Sequence, residues 1–280
     1  MRIGTRGSAL ALAQARQVAA LLGGEHDLVE VVTGGDRGEA TSDKERWVRE
    51  LDAALLDGAV DCAVHSAKDV PAALPPGIVI AAVPRRADPR DALCGAAALT
   101  ALAEGARVGT SSLRRTAQLR ALRADLAVVE LRGNVDTRLR RLADGGYDAI
   151  VLAAAGLQRL GRGGAGRPLD ELVPAAGQGC LAVTTRAGEE QRVGAIDHPP
   201  SARALAAERA LVRALQADCH TPVGAHAQVR ASALVLRAFV GAPDGSAWVR
   251  DELEGDEPER LGAEVAARLL SAGGREVLAR

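Results

Sequence analysis

The run Val64-His65-Ser66-Ala67-Lys68-Asp69-Val70-Pro71 sets an ammonium beside a carboxylate. It follows an apolar stretch (Ala59, Val60, Cys62, Ala63, Val64) that reads as a buried strand, and Pro71 keeps Val70 extended. Lys68 and Asp69 are therefore predicted at the carboxyl end of a strand, where open α/β sheets bind ligands. Of the 35 basic residues only Lys44 and Lys68 are lysines. Where arginine fills nearly every basic position, a retained lysine points to a need for a compact ammonium rather than a planar fork. Standing alone, the pair fits a solvated salt bridge on a loop equally well.

Further along, Gly109-Thr110-Ser111-Ser112-Leu113-Arg114-Arg115 runs from a strand end into a helix start. Ser112 is the expected cap, so hydroxyls and free backbone N–H groups converge on an anion site. Arg114 and Arg115 fall in the first helical turn, where the macrodipole disfavours cations, and this break of a local rule favours anion binding over a solvated helix end. Leu131-Arg132-Gly133-Asn134-Val135-Asp136-Thr137-Arg138 repeats the design, with Asn134 as cap and Arg132 and Arg138 on either side. Arg6 with Ser8 forms a third instance and Arg159 a fourth. Several such clusters imply a ligand with many carboxylates or phosphates, which arginine grips in bidentate fashion.

Other motifs carry less. Gly161-Arg162-Gly163-Gly164-Ala165-Gly166 has dinucleotide-loop spacing but follows a helix-like segment, so it reads as a flexible loop. No phosphate-binding G-x-x-x-x-G-K-[ST] loop occurs, which argues against nucleotide hydrolysis. His26 and His198 read as surface residues, and His65 as a local hydrogen-bonding group. Cys62 and His65 point to opposite faces of a strand, and the scattered cysteines lack zinc spacing, so no metal is expected. Asp218-Cys219-His220-Thr221-Pro222 places a thiol in a constrained turn, read either as an ordinary cysteine or as a nucleophile or covalent anchor.

The elements that must position these groups alternate from residue 1 to about 184. Strands are expected at Arg2–Thr5, Leu28–Thr33, 60–64, 78–83, Arg107–Gly109, Ala127–Leu131, Ala149–Leu152 and Leu181–Thr184. Helices are expected from Ser8 to Gly23-Gly24, over Trp47–Asp57, 113–123 and 135–144. Such alternation predicts parallel sheets covered on both faces, and the Pro/Arg/Asp-rich break at 84–91 predicts two lobes with a cleft between them. The last third reads as helix, three antiparallel strands and helix: from Pro199 through Leu215, Ala227–Arg230, Leu234–Val240, Ala247–Asp251 and Pro258–Ser271, the last stopped by Gly273-Gly274.

Bulk properties narrow the function. A net charge of −1 argues against non-specific nucleic-acid binding, and four aromatics among 280 residues leave little for base stacking. No apolar run approaches the roughly 20 residues of a membrane span, and no basic-then-apolar leader precedes Arg2. The expectation is a soluble cytoplasmic protein with reduced thiols.

Together these segments closely resemble the porphobilinogen deaminase (hydroxymethylbilane synthase) family. The matching pieces are Thr5-Arg6-Gly7-Ser8, Val64 to Pro71, Asp88-Pro89-Arg90-Asp91-Ala92, Gly109 to Arg115, Leu131 to Val135, Ala155-Gly156-Leu157, Gly177-Gln178-Gly179 and Cys219 to Gly224, in the family's order. The resemblance implies two doubly wound α/β lobes like type II periplasmic binding proteins, plus a small α+β C-terminal domain with a three-stranded antiparallel sheet. Its expected bounds are 1–84 with 180–195, 88–176 and 199–280. It implies a transferase that joins four porphobilinogen molecules head to tail with loss of ammonia, on a dipyrromethane cofactor held by thioether to Cys219. By the same resemblance Asp69 is the catalytic acid, and Arg6, Ser8, Ser66, Lys68, Thr110, Ser112, Arg114, Arg115 and Arg138 bind cofactor carboxylates. Arg132 and Arg159, with Arg6 and Arg138, are matched to substrate, and a monomer is expected. A carboxylate fits the chemistry, because loss of ammonia creates a cation that needs an opposing charge. Two departures stand out: the segment Arg37–Arg46 is shorter than the family's glycine-rich lid, and Gly35 stands where an arginine is common. Lys44 and Trp47 match a lid lysine and an aromatic. A two-lobed solute-binding module is the rival reading, and a nucleotide-dependent enzyme a more distant one.

Overall fold

The computed structural model describes residues 1–35, 47–218 and 221–279. In chain order its elements are β1 (Arg2–Thr5), α1 (Ala9–Leu22), β2 (Asp27–Glu30), α2 (Arg49–Leu56), β3 (Cys62–Ser66), β4 (Ile78–Ala82), β5 (Asp91–Cys94), β6 (Arg107–Gly109), α3 (Leu113–Leu122), β7 (Ala127–Val129), α4 (Val135–Ala143), β8 (Ala149–Ala153), α5 (Ala154–Arg159), β9 (Arg167–Leu169), β10 (Leu181–Arg186), α6 (Pro199–Ala214), β11 (Val223–Arg230), β12 (Ala233–Gly241), β13 (Trp248–Gly255) and α7 (Pro258–Leu269). Helix starts obey the local signals. Ser8 accepts from the Ala11 N–H, Ser112 from the Arg115 N–H and Asn134 from the Thr137 N–H. Each bond satisfies a donor that a helix N-terminus leaves over.

One sheet runs β2-β1-β3-β10-β4 and a second β7-β6-β8-β5-β9. In the first, β1 lies parallel to β2 and β3, while β10 lies antiparallel between β3 and β4. In the second, β6 lies parallel to β7 and β8, while β5 lies antiparallel between β8 and β9. The expectation of parallel sheets is thus corrected to mixed ones. β5 and β10 are the first strands after each passage between the lobes, and they run against the direction that the strand–helix–strand units set. β5 and β9 were also missed as strands, being short segments whose neighbours are far away in sequence.

Alternation along the strands covers both faces. Cys62 and Val64 pack with Ala15 and Val18 of α1, whereas Ala63 packs with Leu51 and Leu55 of α2. In the second lobe Leu93, Val108 and Val151 meet Leu119 of α3, while Ala92, Ile150 and Leu152 meet Leu157 of α5 and Leu139 of α4. The third unit is the antiparallel sheet β11-β12-β13, with α6 and α7 closing its core through Leu211, Leu261, Val265 and Leu269. The closing helix ends at Leu269. Gly273-Gly274 kinks the chain instead of stopping it, and Arg275–Leu278 is helical again.

The two passages between lobes lie side by side, the Ala87 N–H donating to the Gly179 carbonyl at 3.2 Å. Arg86 beside them pairs with the buried Glu208 of α6 at 2.5 Å. Glu208 also accepts from the N–H groups of Gly177 (2.6 Å) and Ala227 (2.7 Å), which ties the third unit to the crossing. Among the described residues no helix is long and apolar enough to cross a membrane.

Candidate active site

β3 ends at Ser66, and Ala67–Asp69 make one 3-10 turn before Val70 resumes extended backbone ahead of Pro71. The turn is anchored by the Ala67 N–H, which donates to the Cys180 carbonyl at 3.1 Å. Asp69 lines a cavity of about 60 Å³ with Arg6, Ser8, Gln14, Trp47, His65 and Ser66. Ser66 Oγ accepts from Gln14 Nε2 at 2.7 Å, and Arg6 stacks over the Trp47 ring, 4.1 Å from its centroid. No hydrogen bond or salt bridge to another described residue takes up the Asp69 carboxylate. Lys68 Nζ reaches Gln178 Oε1 at 3.5 Å. Burial brings its ammonium down to about 8, with Asp69 opposing the fall and Arg115 adding to it.

His65 bonds Thr184 Oγ1 at 3.1 Å across the sheet, and burial, then Arg6, lowers it to about 4. That bond ties β3 to β10. His26 and His198 are part-exposed and hydrogen-bonded: His26 Nε2 meets the Gly23 carbonyl at 2.6 Å, and His198 caps α6 by accepting from the Ser201 N–H.

At the second lobe's strand ends, Thr110 Oγ1 accepts from the Ser112 N–H at 3.2 Å. Arg114 and Arg115 turn inward and close on Asp91, the first residue of β5. Arg114 Nη1 donates to Asp91 Oδ2 at 2.7 Å and its Nη2 to Oδ1 at 3.1 Å, while Arg115 Nε donates to Oδ1 at 2.9 Å. Burial alone would raise the Asp91 carboxyl, but the two guanidiniums hold it well below the usual carboxylate range. Both arginines thus have an internal anion, Asp91, as a partner, which sequence spacing could not reveal.

The remaining arginines are placed differently. Arg138 Nε donates to the Gly133 carbonyl at 2.7 Å and Nη2 to Ser111 Oγ at 3.1 Å. Burial and then the Arg115 charge lower its pKa. Arg132 lies exposed, paired with Glu130 at 2.7 Å. Arg159 is drawn to the crossing, donating to the Gly179 carbonyl (2.8 Å) and to Gln17 Oε1 (3.3 Å).

The charges that bear on Lys68 are the carboxylates of Asp69 and Asp91 and the guanidiniums of Arg114 and Arg115, and Arg115 bears in turn on Arg138. A positive surplus at converging strand ends suits a ligand carrying several carboxylates. The buried Arg114 Nε has no hydrogen-bond partner among the described residues. Size alone does not mark the site: a hollow of about 980 Å³ beside Pro84–Asp88 and Gln158 holds none of the predicted residues. The Gly35 departure has a steric reason, since a Cβ there would lie 2.0 Å from a Trp47 ring carbon. Cys219, Lys44 and the segment Arg37–Arg46 lie outside the described residues. Asp218 and Thr221 flank the cysteine, joined at 2.7 Å through Thr221 Oγ1. Sequence reasoning missed Asp91 and Gln178 as site-supporting groups; both sat in segments already singled out, but their partners lie 23 to 110 positions away.

Two α/β lobes, a third α+β unit and a cation-rich set of strand ends around one available acid define a two-lobed α/β protein whose charges suit a polyanionic small molecule. Comparison with known proteins narrows this class. The model of the porphobilinogen deaminase dipyromethane cofactor binding domain matches residues 1–193, and that of the porphobilinogen deaminase C-terminal domain matches residues 202–271. The porphobilinogen deaminase of Rubrobacter xylanophilus is 50% identical, covering 99% of this chain and 95% of that protein. The one from Thermus thermophilus is 49% identical over 99% of this chain and 97% of its own length. The chain belongs to the porphobilinogen deaminase family. Solved structures are more distant: a TRAP periplasmic solute binding protein from Roseobacter denitrificans reaches a TM-score of 0.39 at 13% identity, covering 70% of this chain and 77% of that one. At that distance the lobe architecture rests on the strand orders above.

Proposed function

We infer that this chain is the transferase that condenses four porphobilinogen molecules head to tail, releasing an ammonia with each and giving hydroxymethylbilane for tetrapyrrole (heme) biosynthesis. Family membership along the whole chain supports the reading, and the carrying observation is the cation surplus around one available carboxylate, Asp69. Asp69 accepts the pyrrole N–H of the substrate and opposes the positive charge that develops as ammonia departs. The same carboxylate handles the protons at the leaving amine and at the carbon–carbon bond-forming step.

Cofactor carboxylates fit Arg6, Ser8, Ser66, Lys68, Thr110, Ser112 and Arg138. Arg114 and Arg115 belong to the same cofactor-binding set and also pair with Asp91. Substrate carboxylates fall to Arg6, Arg132, Arg138 and Arg159. The dipyrromethane group, when bound by thioether to Cys219, supplies the priming pyrrole carbon. We read residues 1–84 with 180–195, 88–176 and 199–280 as the three domains, in a cytoplasmic monomer with no nucleic-acid or membrane partner. Intact-mass measurement tests the assignment: the purified protein should exceed its sequence mass by two linked pyrrole units, and Cys219→Ser should remove that increment. A protein at bare sequence mass would favour the rival solute-binding reading.

A further inference from the structure

Gln178 is buried, 1% exposed, between the turn that carries Lys68 and Asp69 and the strand start that carries Asp91. Its Nε2 donates to the Pro89 carbonyl at 2.8 Å and to Asp91 Oδ1 at 2.9 Å. Its Oε1 accepts from Lys68 Nζ at 3.5 Å. With two acceptors on one side and an ammonium on the other, only one orientation of the amide satisfies all three partners.

The main chain around it is fixed as firmly. Gly177 and Gly179 have φ of 76° and 88°. A Cβ at 177 would lie 2.9 Å from Lys68 N, and one at 179 would lie 2.5 Å from the Ala87 carbonyl oxygen. Both contacts and both angles exclude larger residues. Arg86 Nε donates to the Gln178 carbonyl at 2.9 Å. The segment is therefore pressed against the catalytic turn on one side and the first crossing on the other.

We propose that Gln178 is a positioning residue for the reaction, its neutral amide standing between Lys68 and Asp91 so that the ammonium serves the cleft instead of pairing with the buried carboxylate. Opposite charges attract strongly in a low-dielectric interior, and a direct Lys68–Asp91 pair would withdraw the lysine and compete with Arg114 and Arg115. An amide passes hydrogen-bond polarity from cation to anion without carrying charge. The charged groups facing Lys68 are Asp69 on its own turn, Arg114 and Arg115 of α3, and Asp91 of β5.

The identity of the reaction rests on the functional reading above; the contact does not, and its test is separable. Lys44 and Lys68 are the chain's two lysines, so in Lys44→Arg protein Lys68 is the sole side-chain amine. Trace acylation with acetic anhydride across pH, read by peptide mass mapping, then titrates it alone. Gln178→Met, of similar length, still separates Lys68 from Asp91 but removes the acceptor, and should raise Lys68 labelling at pH 7 by ~3-fold or more, whereas Gln178→Glu, which offers the lysine a carboxylate, should lower it by a similar factor. The alkaline limb of kcat/KM should move to lower pH in the first variant and to higher pH in the second. Unchanged labelling in both variants overturns the proposal, and so does failure of both to fold, which would leave the amide purely structural. Labelling shifts as expected in a protein lacking the pyrrole mass increment would uphold the contact and sink the reaction assignment instead.

Discussion

Asp69 and Asp91 occupy related places in the two lobes, one just past the end of β3 and the other at the start of β5, yet their surroundings are opposite. Asp91 is wholly buried, and Arg114, Arg115 and Gln178 share its oxygens. Asp69 borders a cavity, and no described residue bonds its carboxylate. A carboxylate whose lone pairs are filled from within can only hold structure together. One left open beside an ammonium can meet a cation that forms during a reaction. The lobes share a strand order, so the difference lies in which donors point at each acid.

That contrast is open to attack, beginning where the effect should be greatest. Asp69→Asn should leave the thermal midpoint unchanged while turnover falls on the order of 10³-fold, and Asp69→Glu should keep a trace. Wild-type turnover in the asparagine variant would remove the distinction between the two acids. Asp91→Asn should act the other way, destabilising the protein by about 3–5 kcal/mol in denaturant titration, because two guanidiniums lose their buried counter-charge. The folded Asp91 carboxyl lies below its ordinary value of 3.8, so its stabilisation is full above that pH and fades as pH falls below it. The asparagine variant should lack this acid-side loss; an unchanged acid limb would mean that the pairing of Asp91 with Arg114 and Arg115 contributes little. Arg132→Ala should have the smallest effect on stability, about 0–1 kcal/mol, since its pair with Glu130 is exposed. It should slow chain elongation more than cofactor attachment, which the masses of trapped intermediates would record. Equal slowing of both would move Arg132 from substrate to cofactor.

Several features were legible because they are local. The caps at Ser8, Ser112 and Asn134 are written within three residues of the N–H groups they satisfy. The extended exit after Asp69 follows from Pro71, and the faces of β3 follow from its alternating apolar residues. The resemblance to a known family came from short runs of the same local kind.

What tertiary structure alone decided is who answers whom. Arg114 and Arg115 read from sequence as ligand-seeking arginines, yet they met Asp91, more than 20 positions upstream. Arg159 met the Gly179 carbonyl, 20 positions downstream, and β5 and β10 turned antiparallel because the chain passes between lobes twice. Spacing within a motif fixes which groups share a strand end. The partner that closes a buried charge is chosen by chain crossings that bring distant segments together, and no local pattern encodes that choice.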